Sequence, residues 1–324
     1  MRPLLLLCLV PLACGSKQRP QDAALKTQIL AGDKKPIVLP AQTVDASRLA
    51  EDLDMRRIAF EPTARDMEKR ATHFAMKMKV QIDGPQGVGS RSVEHVWRRA
   101  EGSQFSVRHA GAGDTVDWII ADHKAFVKHG KNEWREKPYT LEHADVLKRD
   151  VVLPLGELMA TFAGGMTVSA PQSTKDNGRA AYRYTIDYDE KKAADVENGK
   201  AKTGQAHAVA LKRDDVFPLA LQGDVVVDKE TGLVLTAELK ATLGMEPIAA
   251  ADKGPAVPQQ RTPVKVKINW SLDGLNADDA AKLEPTVPEK AIVDRGFERP
   301  TPEVLGFFGG LKNGAGGNEH EEED

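Results

Sequence analysis

Two cysteines in 324 residues leave almost no disulfide chemistry to consider. Cys8 lies in a segment that reads as removed, so Cys14 stands alone and the body is expected to be held by packing. No apolar run approaches the roughly 20 residues of a membrane-spanning helix, so the body reads as soluble. A dominant charge is missing too. The net charge is −3, and Glu319 to Asp324 alone carries five acidic groups. The rest is close to neutral and offers no basic surface for nucleic acid. His73, His95, His109, His123, His129 and His143 are scattered, with no two at i, i+4 beside a glutamate, so no metal site is expected. Ser90 lacks the glycine two positions on that a nucleophile elbow needs. Gly111-Ala112-Gly113-Asp114 reads as a turn, and neither a phosphate loop nor a dinucleotide fingerprint follows any strand. The expectation is a protein that is not an enzyme and takes no cofactor. No internal repeat is present either.

What is there begins at residue 1. Met1-Arg2 is a basic start, Leu4 to Leu12 an apolar middle, and Ala13-Cys14-Gly15 a small-residue cut site. That order is an export signal, expected over residues 1–13. Cys14 after Ala13 resembles a lipobox, the acylation site of bacterial lipoproteins, although Pro11 stands where a leucine is usual. A lipid on Cys14 would place the chain in the cell envelope, at the outer membrane facing the periplasm, anchored by its acyl chains. Residues 14–44 are polar and punctuated by Pro20, Pro36 and Pro40, the composition of a flexible tether.

The folded domain is expected over residues 45–300. Asp45-Ala46-Ser47 offers helix caps ahead of Leu49, Leu53 and Ile58. From Thr72 the period changes to two: Phe74, Met76, Met78, Val80 and Ile82 alternate with mainly polar residues, the pattern of a half-buried antiparallel strand. The same grammar repeats about every ten residues through Val93-His95-Trp97, Phe105-Val107-His109, Val116-Trp118-Ile120, Ala125-Phe126-Val127 and Glu133-Trp134-Arg135, a meander of one sheet. Leu141 to Phe162 has helical spacing instead, and Pro154 predicts a break into two helices. Strands resume at Tyr182 to Tyr188, around Val209 and Leu211, at Val225 to Leu235 around the Asp228–Gly232 turn, and at Val264 to Trp270. Glu190 to Gly204 and Ala249 to Arg261 read as surface loops. Residues 301–324 read as a short apolar turn followed by a disordered acidic tail.

A sheet of about ten strands with one apolar face must cover that face. Two or three short helices cover it incompletely. The fold class expected is therefore α+β: a single large curved antiparallel sheet, an unclosed β-barrel, with helices over its concave apolar face. Such a trough is the usual setting for a hydrophobic ligand.

Two segments resemble a known family. The stretch from Ala121 to Trp134 resembles the tryptophan-ended hairpin, and Val227 to Leu233 the late Asp-x-x-Thr-Gly turn, of the LolA/LolB and LprG/LppX-like carriers and lipid-binding lipoproteins. The resemblance would cover roughly Ala46 to Asp273; the long tether, the insert at Ala249 to Arg261 and the acidic tail depart from it. It implies a lipid or acyl-chain ligand carried for transport, sorting or storage. The candidate ligand-binding residues are Met76, Met78, Trp118, Ile120, Tyr184, Ile186, Ile268 and Trp270 on the sheet, with Leu158, Met159 and Phe162 on the helix. The same residues are what a closed core is made of. The other class of function is structural: a lipoprotein docking an envelope protein partner through its open sheet edge.

Overall fold

The computed structural model describes residues 43–84, 87–100, 102–111, 114–121, 123–138, 141–197, 216–245, 262–283 and 285–296. The export signal, Cys14, all but the last two residues of the tether, the strand expected around Val209 and Leu211, the insert at Ala249 to Arg261 and residues 301–324 lie outside them.

The chain enters through two short helices. α1 (Leu53–Phe60) is capped by Asp52, whose side chain accepts from the amides of Asp54 and Met55 at 3.1 and 3.0 Å. The cap expected near Asp45 does not start a helix there. The Asp45 carboxylate accepts the amide and hydroxyl of Ser47 instead, which closes a local turn. α2 (Ala64–Arg70) follows Thr63, which accepts the Asp66 amide at 3.1 Å and donates its hydroxyl back to the Asp66 carboxylate.

Then come β1 (His73–Gly84), β2 (Gly87–Ala100), β3 (Gly102–Gly111), β4 (Asp114–Ala121), β5 (Lys124–His129) and β6 (Arg135–Lys137). α3 (Leu141–Phe162) crosses to β7 (Met166–Val168), β8 (Gln172–Asp176) and β9 (Arg179–Tyr188). After α4 (Glu190–Glu197) the sheet finishes with β10 (Val216–Asp228), β11 (Val234–Met245) and β12 (Thr262–Asp273), a 3-10 turn at Ala277–Leu283, and β13 (Ile292–Val293). All 13 strands form one sheet, in the order β13-β6-β5-β4-β3-β2-β1-β12-β11-β10-β9-β7, with β8 also on β9. Every pair is antiparallel except β13 with β6. The β1–β12 pair joins the two meanders, and the β13 end and the β7–β8 end do not pair with each other. This is the unclosed α+β sheet expected. The three strands that were not expected, β7, β8 and β13, are short and have too few residues to show a period.

Two further expectations fail. α3 runs unbroken through Pro154. A proline inside a helix costs about 3 kcal/mol, yet Val151, Val152, Leu155 and Leu158 around it are all buried. Each buried aliphatic side chain is worth about 1.5–3 kcal/mol, so burial outweighs the lost hydrogen bond. The segment from Glu190, expected as loop, begins with α4. Asp189 caps it, accepting from the amides of Lys191 and Lys192 at 2.9 and 3.1 Å.

The inner face of the sheet and the helices share one core. β4 and β5 also bury part of the other face, where Ile119, Ala121 and Phe126 pack with Trp134 and Ala291. That second cluster explains the consecutive apolar residues there, since a strand covered on both faces loses its alternation. The segment around β13 is tied down beside it. Asp294 accepts from Lys137 at 2.8 Å and Arg135 at 2.9 Å, and its amide donates to the Glu136 carbonyl. Lys137, the Gly296 amide and Arg135 hold the Asp294 carboxyl well below the usual carboxylate range.

Candidate functional site

The strand registers sort the inner-face residues into rows that run across the sheet. One row is Val127-Trp118-Val107-His95-Met76-Leu272. The next is Val93-Met78-Trp270-Ala237-Val225-Tyr184. A third is Val80-Ile268-Leu239-Gly223-Ile186. Ile120 stands in a further row with Phe105, Trp97 and Phe74. Side chains directly opposite on neighbouring strands touch, so each row is a line of contacts. Gly223 interrupts the third row for a backbone reason. Its φ is +156°, and an added Cβ would fall on the Glu238 carbonyl oxygen.

α3 lies across these rows. Near its start the Lys148 ammonium sits 4.9 Å over the Phe105 ring on β3. At its end the Phe162 ring meets Tyr188 on β9 edge-on at 5.2 Å. From Lys148 to Phe162 the helix is about 21 Å long. β3 and β9 are six strand steps apart, about 29 Å along the sheet. The helix approaches β2 and β3 on one flank and β10 on the other. β1, β12 and β11 lie between as a floor, and Leu155, Leu158 and Met159 join the same core as their side chains.

All eleven expected ligand-contacting residues fall in that one core, none more than 3% exposed. They do not form one tight group. Met78, Trp270 and Tyr184 share a row, Ile268 and Ile186 share the next, and Phe162 covers the β9 flank. Trp118 and Ile120 stand on β4, seven strand steps from Tyr184 and Ile186 on β9. Two polar groups among them are satisfied from the backbone: the Trp270 indole donates to the Val234 carbonyl at 3.0 Å, and the Tyr184 hydroxyl donates to the Ala46 carbonyl. Burial, with the nearby Tyr182 and Asp45, pushes the Tyr184 phenol up to about 12.

Three polar features of this core were not singled out from the sequence as site residues. His95 on β2 is buried between the Phe74 and Phe105 rings, at 5.5 and 5.8 Å. Arg56 on α1 is buried and donates to the carbonyls of Leu49 (2.8 Å), Ala50 (2.6 Å) and Met166 (3.3 Å). Lys192 on α4 donates to the same Met166 carbonyl at 2.8 Å. The only sequence hint for Arg56 is its helical spacing with the buried Ala59 and Phe60. The family-like turn is built around Asp228, which takes Arg179 at 2.8 and 2.9 Å and both the amide and hydroxyl of Thr231 at 2.8 Å. Among the described residues no three acidic, histidine or cysteine side chains gather as metal ligands, and no helix is long and apolar enough to cross a membrane.

No family model matches the sequence, and no curated protein does. Solved structures give partial superpositions. MucB is 13% identical over 77% of this chain with a TM-score of 0.28, and the match spans 65% of the MucB chain, under two thirds of its length. LprF from Mycobacterium bovis is 8% identical over 76% of this chain and 97% of its own, at a TM-score of 0.31. The lipoprotein LppX from Mycobacterium tuberculosis is 13% identical over 69% of this chain and 93% of its own, at 0.25. The solved structures to which this chain is similar in part thus include a lipoprotein, LppX.

Proposed function

We propose that this chain is a lipid-anchored envelope protein that binds a hydrophobic ligand, a lipid or acyl chain, between α3 and the floor of the sheet. The observation that carries the reading is the placement of α3. A single helix bridges two flanks of an unclosed sheet, and beneath it β1 presents Met76 and Met78 and β12 presents Ile268 and Trp270. An open sheet lets its helix layer lift without breaking the strand ladder, and methionines reshape around what enters. Each methylene moved out of water contributes about 0.8 kcal/mol, so a long acyl chain gains on the order of 10 kcal/mol, reduced by the ordering and desolvation that binding costs. Binding of this kind needs no catalytic group, which supports a carrier over an enzyme.

Native mass spectrometry of the detergent-free protein from a bacterial host tests this directly. Co-purifying lipid masses are expected, and they should disappear in the Met78→Trp, Ile186→Trp double variant. Those two positions stand in adjacent rows of the inner face, Met78 on β1 and Ile186 on β9. Overpacking costs about 1–3 kcal/mol per site, so circular dichroism of the variant must show it folded. A wild-type protein that carries no lipid and takes none from vesicles sinks the reading.

The anchor rests on Cys14. Cys14→Ala is expected to move the protein from the membrane pellet to the soluble fraction, because the anchor is carried by acyl chains on that one sulfur. A variant that still sediments with membranes would contradict it. Docking of an envelope protein through the sheet edge would use the exposed Ile292 and Val293 of β13. That strand has two residues, where a typical strand has about five or six. We therefore favour the ligand.

A further inference from the structure

Arg56 and Lys192 converge on a single neutral acceptor, the Met166 carbonyl, at 3.3 and 2.8 Å. The other partners of Arg56 are also carbonyls, those of Leu49 and Ala50. Among the described residues neither cation is paired with a carboxylate. Of the two acids just before Lys192 in the chain, Glu190 is exposed, and one oxygen of Asp189 is taken up by the amides of Lys191 and Lys192. Burial lowers the pKa of both groups. For Lys192 the Arg56 charge lowers it further, and Asp189 opposes.

Two neighbouring cations whose hydrogen bonds go only to backbone carbonyls are a costly arrangement, because a buried charge needs a counter-charge. Their position says which one. Met166 pairs with Tyr188 across β7 and β9, and the Tyr188 ring meets Phe162 at the end of α3. Ile186, two residues before Tyr188 on β9, is in the row of Val80 and Ile268. The cations therefore stand at the β9 end of the layer between helix and sheet. Arg56 is 7% exposed and Lys192 is half-buried, so one is fixed and the other can move.

We propose that Arg56 and Lys192 seat the anionic headgroup of an amphiphile whose tail lies between α3 and the sheet. This rests on the ligand reading above and names the class of ligand: an acyl chain ending in a phosphate or similar oxyanion. The planar fork of Arg56 and the point charge of Lys192 together suit an oxyanion. Lys192 exchanges the Met166 carbonyl for a headgroup oxygen, and Arg56 keeps its ties to Leu49 and Ala50.

The test uses the full chain, detergent-free, with three probes: hexadecyl phosphate, hexadecanol and inorganic phosphate. Hexadecyl phosphate should bind at least about tenfold more tightly than hexadecanol, since charge-assisted hydrogen bonds are the stronger kind. Lys192→Gln should remove most of that preference while hexadecanol affinity stays the same, and Lys192→Arg should restore it. Equal affinity for the two amphiphiles in the wild type overturns the anionic seat and leaves the apolar site standing. Equal loss for both in Lys192→Gln also overturns it, because the lysine is then only structural. Inorganic phosphate binding as tightly as hexadecyl phosphate overturns the amphiphile, since the site then serves a free anion. Failure of both amphiphiles to bind the wild type ends the ligand reading along with the proposal.

Discussion

Asp228→Ala is expected to lower the unfolding free energy by about 3–5 kcal/mol, the range for removing one partner of a buried ion pair. Asp228 is 1% exposed. Its carboxylate receives the Arg179 fork at 2.8 and 2.9 Å and both donors of Thr231 at 2.8 Å. The turn depends on the same residue through the backbone. The Gly232 amide donates to the Asp228 carbonyl at 3.0 Å, and Gly232 holds φ +66° over Val44. Without the carboxylate, Arg179 keeps only Glu230 as an ion-pair partner, and that side chain is 81% exposed. A solvated partner of this kind is worth at most about 1 kcal/mol. Asp228→Asn keeps the shape and should cost about half as much, since it loses the charge but retains an acceptor. Burial raises the Asp228 pKa, but the hydrogen bonds from Arg179 and Thr231 outweigh it and leave the group below its ordinary value. A lowered carboxylate contributes stability that is present above its unfolded pKa, 3.8, and is lost as pH falls through the folded value. The Asp228→Ala deficit should therefore hold through neutral pH and shrink only in strong acid. Urea unfolding followed by circular dichroism measures it. A loss under about 1 kcal/mol would mean that solvent already screens the pair.

How much of this was legible in the chain depends on what covers each element. β1 and β12 bury one face and wet the other, so Met76-Met78-Val80 and Val264-Val266-Ile268-Trp270 show their parity plainly. β4 and β5 do not, because Ile119 and Phe126 pack outward against Trp134 and Ala291, and that cover comes from a stretch with no periodic pattern. Pro154 misled for a quantitative reason: a local rule worth about 3 kcal/mol met several buried side chains worth nearly as much each. For the candidate site, parity was enough to put Met78, Trp270 and Tyr184 on one face. Their meeting in one row follows from registers between strands nearly 200 positions apart, which no local pattern encodes. Arg56 was invisible for the same reason. Its acceptors are backbone carbonyls, one of them 110 positions away, and a carbonyl leaves no mark in a sequence.

His95 sets the second large effect, a loss of stability in mild acid. It lies in the row of Met76, 2% exposed, and its Nδ1–H donates to the Ser106 carbonyl at 3.0 Å. A carbonyl only accepts, so the proton sits on Nδ1. Burial pushes its pKa from 6.5 down to about 4. The bond to Ser106 resists that shift, and the charges of Lys148 and His109 add to it. His109 is diagonal to His95 across the β2–β3 ladder, and Lys148 reaches in from α3 beside Phe105. Between these two pKa values the unfolded chain binds more protons than the folded one, so stability rises with pH across that window. It should fall by about 2 kcal/mol from pH 7.5 to 5 and by about 3 kcal/mol at pH 4, levelling off below pH 3 at about 3.4 kcal/mol. Other groups titrate in the same range, so the measurement is a difference. His95→Leu, compared with wild type by urea unfolding at pH 7.5 and pH 5.0, should remove that part of the acid sensitivity. It should also lose the Ser106 bond at both pH values alike, a constant offset of about 1 kcal/mol. The offset separates from the proton effect because only the latter changes with pH. Equal acid sensitivity in the two proteins would show that His95 is hydrated in the folded state and titrates like a free imidazole.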